Sequence, residues 1–264
     1  MAIDNYDKLI RALGQSQFLP IDKQSLASQT VGSLTSLWTA PGVPGSGATP
    51  TGPEICTKNL LGAFPFNNPA PGDLSYLGGL GIAGTISHFL IGYDRLIHRA
   101  GLSGVTTTAQ PVGLSIPPNR NAAPDGSDVE WFIEIYSLIG TTAVTATVNY
   151  TDQTDTARAT MVSIGGNSNN RQGRLTRIFP NPGETIKTIT AITHATTGTA
   201  GNYGVTCGKR LLTESMGAPS IGVSLDFADV DMTQIPNDAC LWLMVSSSAA
   251  SSGDIRGALT IIQG

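Results

Sequence analysis

The chain has 264 residues, of which 40% are hydrophobic, 6% aromatic and only 13% charged, with 31 glycines and 16 prolines. Its 15 basic and 19 acidic residues leave a net charge of −4, which excludes the basic surplus of a direct nucleic-acid binder, while the apolar content excludes a chain disordered throughout. No apolar run approaches the ~18 residues that span a bilayer, and Met1–Lys8 places acids where a secretory leader has basic and then apolar residues; the expectation is synthesis in the cytosol and no membrane partner.

Taken in chain order, Ile3, Tyr6, Leu9, Ile10 and Leu13 recur at helical spacing, with Asp4 or Asn5 to cap the start and Gly14 to close the end. So short a helix is marginal alone, so its apolar stripe should dock on something. A second short helix is expected between Asp22 and Trp38, using Leu26, Leu34, Leu37 and Trp38. The Gly/Pro-rich passage from Pro41 to Gly84 follows. Proline removes backbone donors and glycine favours turns, so this passage is expected to form neither regular helix nor central strand. It nevertheless keeps Leu60, Leu61, Phe64, Phe66, Tyr76 and Leu77, which a solvated linker would not. The reading is an ordered, extended arm lying across a surface, its own or a neighbour's.

From Thr85 onward strand follows strand. Val129–Leu138 alternates and is rich in aromatic and β-branched residues, and Ala143–Tyr150 sets Val144, Ala146, Val148 and Tyr150 on one face. The turn Thr151–Asp155 joins the latter to Thr156–Ile164 as a hairpin. Further strands are expected at Thr185–Ala195, Asn202–Leu211, Ile221–Phe227, Ala239–Val245 and Arg256–Ile262. In the first of these, Ile186, Ile189 and Ile192 recur every third residue, the mark of a bulge. The fold class expected is mainly β: a jelly-roll-like antiparallel β-sandwich over residues 85–264, preceded over 1–84 by the extended arm with one or two short helices.

The chemistry-bearing residues give no reaction centre. Gly79-Leu80-Gly81-Ile82-Ala83-Gly84 fits the dinucleotide fingerprint only in letters, lacking a buried strand before it and the distal acid. His88, His98 and His194 show no metal-ligand spacing and read as hydrogen-bonded structural residues. Gly101-Leu102-Ser103-Gly104 falls one residue short of a nucleophile elbow and reads as a turn. Asp226, Asp229 and Asp231 resemble part of a calcium loop without its glycine and terminal glutamate, and read as a solvated loop. Glu130 and Glu134 share a strand face, read as the polar outer one. Cys56, Cys207 and Cys240 form no C-x-x-C pair; buried free thiols are the expectation and an intermolecular disulfide the alternative. No cofactor and no metal is called for. Arg171, Arg174 and Arg177, with Arg158 near them, form the one basic cluster, suited to carboxylates across a subunit contact or to blunting an edge strand.

Three stretches resemble tailed-bacteriophage virion structural proteins: YDRLIHRAGLSG (Tyr93–Gly104, continuing to Gln110), EWFIEIYSLIGTTAVTATVNYTDQ (Glu130–Gln153) and TTGTAGNYGVTCGKRLL (Thr196–Leu212). The resemblance spans roughly Gly92–Leu212 and implies a particle component rather than a catalyst, located in the virion and assembled in the host cytoplasm. The expectation is a capsid-associated decoration or cement protein whose partners are the major capsid protein, other virion proteins and further copies of itself, a trimer being the order that suits local three-fold axes. The rival expectation is a tail or baseplate jelly roll that binds host-surface carbohydrate. The expected inter-subunit contacts are Leu9, Ile10, Trp38, Arg171, Arg174 and Arg177. On this reading, removing residues 1–40 should leave a folded sandwich that no longer binds particles.

Overall fold

A computed structural model describes residues 3–166, 171–198 and 200–264. In chain order it contains the helix α1 (Tyr6–Gly14) and the strands β1 (Gln17–Lys23), β2 (Leu34–Ser36), β3 (Gly42–Val43), β4 (Glu54–Ile55), β5 (Ser75–Gly84), β6 (His88–Ser103), β7 (Gln110–Ser115), β8 (Val129–Ser137) and β9 (Ala143–Thr151). These are followed by β10 (Ala157–Gly165), β11 (Leu175–Ile178), β12 (Thr188–His194), β13 (Asn202–Met216), β14 (Val223–Leu225), β15 (Gln234–Ile235), β16 (Leu241–Ser247) and β17 (Ile255–Gln263). The mainly-β antiparallel class expected from the sequence holds.

Strands β6 to β13 form an eight-stranded jelly roll. One sheet runs β11-β8-β13-β6 and the other β10-β9-β12-β7, all antiparallel. Each of the four successive hairpin-like pairs contributes one strand to each sheet, the double-wound order of this fold. Alternation explains the packing: Val144, Ala146, Val148 and Tyr150 of β9 and Ile189 and Ile192 of β12 meet Trp131, Ile133 and Ile135 of β8 and Val205 of β13 in one apolar cluster. The expected hairpin of β9 with β10 is present, and β12 carries its bulge between Ile189 and Ala191.

The two ends of the chain build the rest, called here the base. A six-stranded sheet, β14-β5-β17-β1-β3 with β15 beside β5, packs on the far halves of β6 and β13, which overrun the jelly roll; there β6 pairs with β16, and β16 with β2. Leu19, Ile21, Leu77, Leu80, Ile82, Leu259 and Ile261 from this sheet join Leu90, Leu243 and Val245 of the long one.

Three expectations change here, and one alternative is resolved. Of the two surfaces open to the arm, it lies on that of its own chain: β1 pairs with β17, and Gly84/Thr85, where the division was drawn, falls between β5 and β6. The Gly/Pro passage ends in β5, a central strand between β17 and β14. Glycine is needed there, since a Cβ on Gly78 would stand 2.7 Å from Ile262 Cγ2. No helix forms between Asp22 and Trp38; β1 ends there, and β2 places Thr35 and Ser36 against β16. Residues Gly101 to Ser103 belong to β6 rather than to a turn.

Candidate functional site

The outer face of the jelly-roll sheet β11-β8-β13-β6 is where the chain ends and the jelly roll meet. Because β6 and β8 both contact β13, alternation carries Arg95 (β6), Thr206 (β13), and Glu134 and Tyr136 (β8) to this face. Gly208 stands level with both Arg95 and Glu130, and Tyr93 lies over it, its Cδ1 3.0 Å from where a Cβ would stand. Arg95 Nη2 donates to Glu134 Oε2 (2.5 Å), the Tyr136 hydroxyl (2.7 Å) and Thr206 Oγ1 (2.9 Å). The Thr206 and Tyr136 hydroxyls donate in turn to Glu134 Oε2 at 2.7 and 3.0 Å. Arg95 is 0% exposed, and its Nε and Nη1 have no hydrogen-bond partner. Instead its guanidinium lies 4.4 Å from the Trp38 ring and 4.8 Å from that of Trp242, the cation–π arrangement that suits a weakly hydrated guanidinium. Burial alone would lower the Arg95 pKa; the Glu134 charge outweighs it and keeps the group protonated.

Around this centre the other polar groups are also tied. Arg120 holds Asp94 through two nitrogens, and its Nη1 donates to the Cys56 carbonyl (2.5 Å). Glu130 accepts from the Tyr93 hydroxyl and from Arg210, and pairs with Arg177 at 2.9 Å. His98 Nε2 donates to Glu54 Oε2 (2.9 Å), with its ring edge-on to Trp38 at 5.5 Å. Burial, helped by the charge of Arg95, lowers the His98 pKa to about 2, so the contact with Glu54 is a hydrogen bond from a neutral imidazole. His88 bonds to the Ser252 carbonyl (2.5 Å) and His194 to the Tyr203 hydroxyl (2.8 Å); burial lowers both pKa values. The three histidines are thus hydrogen-bonded structural residues. Among the described residues no group of three or more His, Cys, Asp or Glu is placed to hold a metal ion. These pairs fix the geometry of the seam between the jelly roll and the chain ends.

Exposed apolar side chains occur elsewhere, several of them flanking β1. Helix α1 is capped by Asn5, whose side chain accepts from the Lys8 N–H (3.0 Å), and Asp4 pairs with Lys8 at 2.8 Å. Ala12 is buried where the helix meets β17, yet Tyr6, Ile10 and Leu13, at i, i+4 and i+7, remain exposed, Ile10 by 60%. Alongside β1, a groove of about 560 Å³ is lined by Phe18 and Pro20 of the strand and by Val43, Pro44, Leu61 and Phe64, among others. Phe18 and Leu61 are each 70% exposed. Lys23 supports this wall from within, its Nζ donating to the carbonyls of Ala40 (3.0 Å) and Pro44 (2.7 Å), and burial lowers its pKa to about 8.

The residues singled out from the sequence separate. Ile10 is on the exposed helical stripe and Leu9 is half-buried beside it. Trp38, expected at a subunit contact, is 1% exposed inside the chain's own core. The arginines diverge: Arg171 is exposed, Arg177 pairs with Glu130, and Arg174 is half-buried, its pKa lowered to about 10 by burial. Arg158 belongs to the other jelly-roll sheet, where it pairs with Asp152 (2.9 Å) and Glu184 (3.0 Å). Glu130 and Glu134 do share a face, but the chain ends cover it, and Glu134 is buried rather than outward. The glycine fingerprint lies within β5 and runs into β6, with no helix to receive a phosphate. Asp226 and Asp229 cap their own exposed turn. Arg95 and Asp94 were missed; the available signal was two adjacent opposite charges inside a strand rich in apolar residues.

No protein-family model and no curated protein matches the chain. Among solved structures, the VP2 protein of infectious bursal disease virus in derived T=1 particles aligns at 7% identity and a TM-score of 0.16, covering 94% of this chain and 77% of that one. The VP2 subviral particle aligns at 8% identity and a TM-score of 0.17, covering 94% and 80%. Likeness at this level establishes neither a shared fold nor a shared function.

Proposed function

We propose that this chain is a structural subunit of a virus particle, a decoration or cement protein of a tailed bacteriophage, which binds the shell and its own copies through the apolar surface flanking β1. The observation that carries the proposal is that surface: a helical stripe of Tyr6, Ile10 and Leu13 and a groove walled by Phe18, Val43 and Leu61, both left open by the chain itself. Apolar area removed from water stabilises a contact by roughly 25 cal/mol per Å², so subunit binding is the process this surface favours. The resemblance of Gly92–Leu212 to virion structural proteins supplies the setting, and the closed polar pairs around Arg95 support a non-catalytic role. A carbohydrate-binding role calls for a cluster of exposed aromatic rings, whereas Tyr6, Phe18 and Phe89 stand on α1, β1 and β6 and Phe179 just after β11.

The test has two parts. In purified particles the protein should appear on a stained gel at a fixed ratio to the main shell protein; its absence would refute the virion assignment. The triple variant Ile10→Ser/Phe18→Ser/Leu61→Ser should keep the wild-type circular dichroism spectrum and lose particle binding in co-sedimentation. Full binding by that variant would remove the β1 surface from the account.

A further inference from the structure

The base is closed where the two chain ends meet, and both ends bring a cysteine to that point. Ile55 stands opposite Ile97 on β6, and the next residue, Cys56, donates its N–H to the Leu96 carbonyl at 3.0 Å. Leu241 stands opposite Asp94, and the residue before it, Cys240, accepts from the Arg95 N–H at 2.8 Å. Strands β4 and β16 therefore lie end to end along one edge of β6, with Cys56 finishing the first and Cys240 starting the second. One ion pair pins both backbones: Arg120, bonded to Asp94, donates to the Cys56 carbonyl, and the Cys240 N–H donates to Asp94 Oδ1 at 2.9 Å. Both side chains enter the same buried cluster as Trp38 and Trp242, where Cys56 Sγ donates to the Glu54 carbonyl at 3.8 Å and burial first, the neighbouring Cys56 second, raise the Cys240 pKa. Both are free thiols.

We propose that Cys56 and Cys240 form a dithiol pair that an oxidant of the disulfide class closes into an intramolecular disulfide, stapling the two ends of the chain across the base. Cys56 and Cys240 are hydrogen-bonded to consecutive residues of β6, Leu96 and Arg95, so their backbones run side by side, the arrangement in which a disulfide, spanning Cα atoms about 4.4–6.8 Å apart, can close. Cys207 faces the opposite side of the sheet, in the jelly-roll cluster, and takes no part. With oxidised glutathione the steps balance. The thiolate of one cysteine attacks the glutathione disulfide and expels one glutathione thiolate. The second cysteine, losing its proton, attacks the mixed disulfide and expels the other. Two protons and two electrons leave the protein, and two glutathione thiols result. Burial holds the Cys240 thiol protonated by raising its pKa, so exchange requires β4 and the segment after it to open. The pair is slow to oxidise in the closed protein and, once joined, slow to reduce.

The full-length protein, incubated with oxidised glutathione in urea just below its unfolding transition so that β4 opens, is then digested and analysed by mass spectrometry. A Cys56–Cys240 cross-linked peptide is expected, with a mass loss of about 2 Da for the whole chain. Thiols titrated in denaturant should fall from the three in the sequence to the single thiol of Cys207. The oxidised protein should melt on the order of 5–10 °C higher, reversibly on adding reductant. Cys207→Ser should behave as wild type, and Cys240→Ser should give neither cross-link nor Tm shift. A stable glutathione adduct, a bond involving Cys207 or a second chain, undiminished thiols, or a lowered Tm would each overturn the proposal. The wild-type cross-link and thiol count stand whatever the folding of the variants.

Discussion

The jelly roll and the base differ in how far apart in the chain their contacts lie. Residues 88–216 wind continuously through the eight strands of the jelly roll, so every pairing closes within that one stretch, even that of β6 with β13, which reaches from His88 to Met216. The base depends on residues from opposite ends: the Ser25 N–H donates to Asp254, and Trp242 Nε1 to Ser36 Oγ, across separations of 229 and 206 positions. The lesson is that the leading segment is not an appendage to a finished domain. It covers the outer face of the jelly-roll sheet and supplies the ring against which Arg95 is buried, so the jelly roll reaches its native surroundings only when both ends have docked.

The largest expected effect breaks that comparison outright. Deleting residues 1–40 removes β1, β2, Leu37 and Trp38, and the cooperative urea transition seen by circular dichroism should disappear; a folded, fully cooperative remainder would restore the appended-arm view. Next, at the seam, Arg95→Met or Glu134→Leu alone should cost about 3–5 kcal/mol, because each strands a buried charge, while the double substitution should recover most of the loss. Chemical denaturation of the three variants reads the coupling directly, and additive losses would show that the pair is not acting as a unit.

A smaller effect follows from pH at the same seam. His98 is held neutral, with its folded pKa lowered to about 2 from about 6.5 in the unfolded chain. Its contribution is therefore complete above pH 6.5 and is lost as the pH falls below it, because only the unfolded state takes up the proton. Between pH 8 and 5 this amounts to about 2 kcal/mol, and His98→Gln should show that much less acid sensitivity in paired urea titrations. The smallest test sharpens the comparison: Ile192→Val in the jelly roll and Ile261→Val in the base should each cost about 1 kcal/mol. Both side chains are fully buried, so a marked inequality would mean that one half packs more loosely than the other.

Legibility from the sequence followed the same division. Strands β8, β9 and β10 and the bulge of β12 were readable because alternation, β-branching and turn residues act within a few positions. Strand β6 was harder: its parity shifts at Leu96/Ile97 and again near Gly101, where the pairing with β13 slips. A Cβ on Gly204 there would meet the Arg99 carbonyl at 1.8 Å. These slips keep Leu90, Ile97 and Leu102 on one face although their spacing breaks the period of two. β5 was hidden because its glycines, read locally, signal turns; they serve close packing against β17, which arrives from the far end of the chain. The candidate contacts were split for the same reason. Ile10 was legible from helical spacing, but whether Trp38 or Glu134 faces water depends on which segment covers the sheet.

What the sequence determined by itself was the set of local choices: an antiparallel β chain, the alternating strands β8 to β10, and a capped helix near the N-terminus. Tertiary structure alone decided that the Gly/Pro passage joins the chain's own sheets, that Arg95 meets Glu134 between two tryptophans, and that Cys56 lies beside Cys240. The physical reason is range. Periodicity and turn chemistry are written within a few residues, whereas the burial of a charge, a thiol or a glycine-rich strand is set by partners that only chain folding brings near.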